Sequence, residues 1–256
     1  MTRSGIARRT AAVVVGAALG VVGLAPSAGA IIGGTETDTA EPWMVSLRSA
    51  DGHYCGGTLV APKWVLTAGH CSLNVEDNTP RFPDQIEIGG LSLSGGGTAA
   101  TAAEVIPHPT AKFTDENGQI VFTGTDLGLI RLTEPVTNEP APLSDQTPAV
   151  GTDVRLLGWG YAGLDENGDP IFPDRLNEVT LPVAEVVDGR IHFADAAGRG
   201  AGGGDSGGPG VIRTESGWTL VGVTNGGGLA PDGVQHSSYA DVATHRDWIG
   251  SVVGSR

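Results

Sequence analysis

The sequence predicts an all-β fold built as two barrels, and three observations carry that reading. Apolar runs are short and separated by Gly, Pro, Asp and Asn; helical periodicity is scarce; and a proline-rich stretch at residues 134–148 divides the runs into two sets. The first set comprises residues 43–47, 58–60, 64–67, 85–88 and 127–132. The second comprises 154–157, 179–183 and 218–223. Only the C-terminus departs from strand patterning: Val242, Trp248, Ile249 and Val252 fit one face of a short closing helix.

Composition agrees with this parse. With 39% hydrophobic residues in 256, the chain can bury a substantial core, while 41 glycines and 16 prolines call for many turns. Charged residues are 17%, and no heptad pattern is sustained, which excludes a coiled coil. Two Asp-Glu-Asn-Gly stretches, at 115–118 and 165–168, read as exposed turns. The second resembles the start of a calcium loop, but Pro170 stands where the loop needs Gly and Leu176 where it needs a bidentate acid.

Residues 1–30 read as an export signal. Arg3, Arg8 and Arg9 precede a charge-free run from 11 to 24, Pro26 breaks it, and Ala28-Gly29-Ala30 offers small residues for cleavage. Fourteen apolar residues fall short of a membrane span. Those arginines are the only charges in the leader, so its removal takes the net charge from −14 to −17. Such an acidic protein is unsuited to nucleic acid or anionic membrane surfaces. The expected product is extracellular, with no membrane association after processing.

Export gives meaning to Cys55 and Cys71, the only cysteines. Outside the cytosol they are expected to pair, closing a sixteen-residue loop worth ~3 kcal/mol. The competing reading is a zinc site from His53, Cys55, His70 and Cys71, disfavoured because adjacent His70 and Cys71 would diverge as ligands of one tetrahedral ion.

Three segments carry candidate chemistry. Gly204-Asp205-Ser206-Gly207-Gly208-Pro209 can fold into a tight turn whose N–H groups converge, a nest suited to a developing oxyanion. A serine hydroxyl there needs a neighbouring base. Trp64-Val65-Leu66-Thr67-Ala68-Gly69-His70-Cys71 places a histidine at the end of an apolar strand, and Asp126-Leu127-Gly128-Leu129-Ile130-Arg131-Leu132 places an aspartate at the head of another.

Together these segments resemble the chymotrypsin/trypsin-like serine peptidases, whose order of triad residues is His, Asp, Ser. Ile31-Ile32-Gly33-Gly34 is similar to the family's processed N-terminus, Cys55-Gly56-Gly57-Thr58-Leu59 to its first cysteine strand, and Gly158-Trp159-Gly160 to its second-barrel marker. Tyr239 with Trp248-Ile249 is similar to its C-terminal segment. The closest kind of member would be a secreted, single-disulfide, bacterial-type one.

The resemblance implies two six-stranded antiparallel barrels packed face to face, residues 31–140 and 141–256, with the catalytic cleft between them. It implies Ser206 as nucleophile, His70 as base and Asp126 as its orienting acid, with Gly204 and Ser206 N–H groups as the oxyanion hole. The α-amino group of Ile31, created by cleavage after Ala30, would pair with Asp205; cleavage after Ala25 would instead leave a five-residue pro-segment. In the substrate pocket, Gly200 stands where lysine- or arginine-specific members carry Asp, and Asn225-Gly226-Gly227 replaces the usual Ser-Trp-Gly wall. An uncharged substrate side chain is expected, with Arg199 leaving an acidic one open. His53, His108, His192, His236 and His245 have no matching context and read as surface or packing residues.

The implied enzyme is a monomer acting on proteins or peptides, subject to protein inhibitors, with no cofactor and no metal. Two other readings compete. Gly204-x-Ser206-x-Gly208 formally matches the nucleophile elbow of α/β-hydrolase esterases, but that fold needs crossover helices and the order Ser, acid, His. A non-catalytic binding protein on the same scaffold would keep the fold without turnover; Gly69 in place of the family's common Ala before His70 is compatible with it.

Overall fold

A computed structural model of the chain describes residues 31–161 and 172–254. The leader and the second Asp-Glu-Asn-Gly turn lie outside the described residues. The first strands are β1 (Thr35–Glu36), β2 (Met44–Ser49), β3 (Gly52–Ala61), β4 (Trp64–Thr67), β5 (Gln85–Ile88) and β6 (Thr98–Ala100). They are followed by β7 (Ala102–Pro107), β8 (Lys112–Glu116), β9 (Gln119–Thr123) and β10 (Gly128–Leu132). Beyond the proline-rich connection come β11 (Asp153–Gly158), β12 (Asn177–Pro182), β13 (Glu185–Val187), β14 (Arg190–Asp195), β15 (Pro209–Thr214), β16 (Gly217–Leu229) and β17 (Gln235–Asp241). The single helix among the described residues, α1 (Arg246–Val253), lies near the C-terminus.

The strands form two barrel-like antiparallel sheets. The first runs β6-β5-β2-β3-β4-β10-β7 and the second β1-β12-β11-β15-β16-β17-β14-β13, while β8 and β9 make a separate hairpin. Seven and eight strands stand where six apiece were expected, because edge pieces of two or three residues (β6, β1, β13) extend the sheets. Every strand pair is antiparallel, and no crossover helices occur among the described residues, which removes the α/β-hydrolase reading. No helix among the described residues is long and apolar enough to cross a membrane.

Packing ties the two sheets together. One apolar cluster joins Met44, Leu47, Leu59, Val65, Leu66 and Leu129 of the first sheet to Leu157, Leu220 and Val223 of the second. A second cluster fills the second sheet with Val154, Leu156, Leu181, Ile191, Phe193 and Tyr239, the last two rings meeting edge-on at 5.3 Å. The chain ends are exchanged between the sheets. Near the N-terminus β1 pairs with β12, and Ile31, 0% exposed, belongs to the second core. At the other end Trp248 packs edge-on against His108, just beyond β7, at 4.9 Å.

The N-terminal segment is also held by charge. Buried Arg155 on β11 pairs with Glu41 and with Glu178 on β12, and donates to Thr37 Oγ1 at 3.3 Å. Its guanidinium lies 4.8 Å from the Trp218 ring centroid.

Candidate active site

Strand register explains why His70 and Asp126 meet. Antiparallel β4 and β10 place Thr67 opposite Gly128. His70 lies three residues beyond Thr67 and Asp126 two residues before Gly128, so both fall at the same sheet edge. A tight turn, with Cys71 N–H donating to Ala68 O at 3.2 Å and Ser72 N–H to Gly69 O at 3.0 Å, brings the histidine back toward the aspartate. Asp126, only 7% exposed, then accepts two bonds: His70 backbone N–H to Oδ1 at 2.8 Å and His70 Nδ1–H to Oδ2 at 2.9 Å. This fixes both the ring's orientation and its tautomer, leaving Nε2 with a lone pair.

Ser206 comes to this edge from the other sheet. Its carbonyl accepts Gly56 N–H of β3 at 2.7 Å and lies 3.7 Å from Cys71 Sγ. Cys55 and Cys71 are joined in a disulfide. The sulfurs and a His70 ring nitrogen lie within 4.8 Å of one another, but the bonded sulfurs offer no thiolate. That chemistry, together with His53 bonding elsewhere, excludes the zinc reading. The turn before β15 is fixed by Gly207 N–H to Thr224 O at 2.7 Å and Gly208 N–H to Asp205 O at 2.9 Å. Gly204 takes φ of +91°, the left-handed conformation that turns the chain at the point proposed for an oxyanion donor.

Asp205 points inward and is fully buried. Burial pushes its carboxyl up to about 7, against the pull of N–H groups from Gly202 at 2.8 Å and Gly160 at 2.7 Å. Gly158-Trp159-Gly160 is therefore the floor on which this carboxylate rests. Ile31 is buried in the same half of the molecule, and the next residue, Ile32, bridges to Gly200, accepting its N–H at 3.0 Å.

The sequence reading missed His53, which is an internal support of the site. Its Nε2–H donates to Gly204 O at 3.0 Å, while Nδ1 accepts from Ser46 Oγ at 2.9 Å. Arg48 Nε donates in turn to Ser46 Oγ at 3.3 Å. Burial lowers the His53 pKa to about 4, so the ring is neutral and the relay runs Arg48, Ser46, His53, Gly204. Strand alternation cannot single out this histidine, because its partner is 151 residues away. The β8–β9 hairpin was also missed: the turn at 115–118 is its tip, and Phe122 meets the His70 ring edge-on at 5.9 Å.

Of the residues expected in the substrate pocket, Gly200 and Gly227 both lie against β17 and its neighbour Ala201, whereas Asn225 faces elsewhere. Gly200 faces Ser237 and Gln235 of β17, and Gly227 faces Ala201. Asn225 borders a small recess behind Asp126 that also includes Arg190 and His245. Arg199 makes paired bonds to Asp195 at 3.0 and 3.1 Å, which neutralises the cation that left an acidic preference open.

Residues 31–249 match the family described as Trypsin. The chain is 32% identical over 250 residues to a tryptase of Mus musculus, covering 86% of this chain and 87% of that protein. It is 33% identical over 251 residues to trypsin 5G1 of Aedes aegypti, covering 89% and 86% respectively. With two antiparallel barrel-like sheets and a match over nearly all described residues, the chain belongs to the trypsin family of serine peptidases.

Proposed function

We propose that this protein is an exported, monomeric endopeptidase that cleaves protein or peptide chains through an acyl-enzyme. Ser206 Oγ attacks the scissile carbonyl and His70 Nε2 takes its proton, later returning it to the leaving amine. Asp126 holds the imidazole and stabilises its charged form. The N–H groups of Gly204 and Ser206 receive the oxyanion, and the disulfide Cys55–Cys71 braces the histidine against the serine turn. Cleavage after Ala30 frees the Ile31 amine, which pairs with Asp205 and locks that turn.

The two-point hold of Asp126 on His70, at 2.8 and 2.9 Å, carries this reading. A structural histidine has no need of a carboxylate that fixes both its backbone and its ring. No cofactor is required by such chemistry. The test is labelling with a fluorophosphonate: modification of wild-type protein at Ser206, none in Ser206→Ala, and none after Asp126→Asn at matched times are expected. An unreactive, correctly folded wild type would establish a binding protein on this scaffold instead.

A further inference from the structure

The stretch around the serine turn and the strand β16 are held together at two points. At the near end, Gly207 N–H donates to Thr224 O at 2.7 Å. At the far end, the Gly227 Cα lies so close to the Ala201 carbonyl that a Cβ there could not be accommodated. Three strand steps separate Thr224 from Gly227, roughly 10 Å of backbone. The resemblance puts the substrate pocket along this length, with Gly200 at its floor and Asn225 in its wall.

What holds the far end shut is a latch from β17. Alternation places Gln235, Ser237 and Tyr239 on the buried face of the strand, and Gln235 is 1% exposed. Gln235 Nε2 donates to Ala201 O at 2.9 Å and Ser237 Oγ accepts Ala201 N–H at 2.9 Å. Both backbone polar groups of Ala201 are thus satisfied by side chains of one strand. Register adds to this: β16 pairs Gly227 with Ser237 and Leu229 with Gln235, so the latch and the closing contact belong to one hairpin. A substituent on Gly200 would also meet Ser237 Oγ at 2.5 Å and Gln235 Cγ at 3.0 Å, so the floor is already filled.

We propose that Gln235 is a specificity-determining residue: by fixing Ala201 against Gly227 it restricts the side chain before the scissile bond to small, uncharged ones such as alanine. Among the described residues, none of the atoms nearest Gly200 or Gly227 belongs to a carboxylate that could receive lysine or arginine, and Arg199 is committed to Asp195. A large ring would have to part Ala201 from Gly227 and break a buried amide–carbonyl bond. The inference rests on the peptidase reading above.

The test uses processed enzyme beginning at Ile31 and peptide p-nitroanilides that differ only in the residue before the scissile amide: Ala, Leu, Phe, Lys and Glu. Wild type is expected to favour Ala over Phe and Lys by about tenfold or more in kcat/KM. Gln235→Ala should raise the Phe/Ala ratio by about tenfold. Gln235→Met keeps the volume while removing the donor, and should shift the ratio in the same direction even if the smaller residue impairs folding. Fluorophosphonate labelling of each variant separates the outcomes. Enzyme that labels and turns over but prefers Phe or Lys, or whose ratios do not move in either variant, overturns the latch. Failure of wild type to label overturns the peptidase reading and the latch with it.

Discussion

The Asp205 carboxyl converts N-terminal processing into a measurable stability difference. Two proteins are compared, both carrying Ser206→Ala to prevent self-digestion: one begins at Ile31, the other retains Ala30. With Ile31 N in a peptide bond, burial holds the Asp205 pKa at about 7 against an ordinary 3.8. In the extended protein the folded state keeps this proton up to about pH 7, whereas the unfolded chain releases it near pH 4. Stability is therefore fully present below the unfolded pKa and is lost as pH rises through the folded value. A shift of about three pH units at 1.36 kcal/mol each amounts to about 4 kcal/mol. In the processed protein the charged amine compensates the ionised carboxylate and the loss is absent. Urea unfolding at intervals from pH 4.5 to 8 should give curves that diverge with rising pH, the processed form ending about 4 kcal/mol ahead. His53 titrates over the same interval but is common to both proteins, so it cancels from the difference. Curves that stay parallel, or an extended protein that is the more stable at pH 8, would refute the pairing.

Within the processed protein His53 dominates the acid side. Its folded pKa of about 4 lies below the ordinary 6.5, so stability is present above pH 6.5 and about 3 kcal/mol is lost as pH falls toward 4; His53→Gln should flatten that slope in the same urea measurement. Replacing both Cys55 and Cys71 by Ser should cost ~3 kcal/mol of unfolding free energy, and because Cys71 adjoins His70 it should also slow fluorophosphonate labelling. Arg155→Met leaves buried Glu41 without its cation and should lower stability by about 3 kcal/mol, with most of it recovered when Glu41 is also made Gln; a loss under 1 kcal/mol in thermal or urea unfolding would contradict the burial of this pair.

Much of the scaffold was legible because its signals are local. The runs at 64–67 and 85–88 coincide with β4 and β5, and the run at 127–132 contains β10, since short apolar runs bounded by turn residues mark strands buried on both faces. The helix at the C-terminus followed from its one apolar face, of which Ile249 is buried. Less visible was the start of β3, because Gly52 and His53 are not apolar and the strand's first three residues are only half-buried. The proline-rich connection at 134–148 forms no named strand, yet it is docked: Val136 N–H donates to Pro62 O at 2.8 Å and Ala141 N–H to Leu59 O at 2.9 Å. Prolines there limit strand formation without preventing packing.

The site divides along the same line between local and distant signals. His70, Asp126 and Ser206 announce themselves because each sits in a short segment whose glycines and apolar residues are required by its own turn or strand. Their supports do not, because each is an ordinary polar residue that becomes informative only through a remote partner. His53 reaches Gly204, Gln235 reaches Ala201, and Arg155 reaches Glu41, across 151, 34 and 114 residues respectively. All three remove a buried polar group from water by giving it a specific partner, and two of those partners lie in residues 201–204, just ahead of Ser206, the proposed nucleophile. That placement has a consequence for how the protein can vary. The residues proposed to perform the chemistry tolerate no exchange, whereas His53 and Gln235 can be replaced by any group that satisfies the same carbonyl. On the proposed function, substrate preference can therefore change through Gln235 while the hydrogen bond between Asp126 and His70 stays as it is.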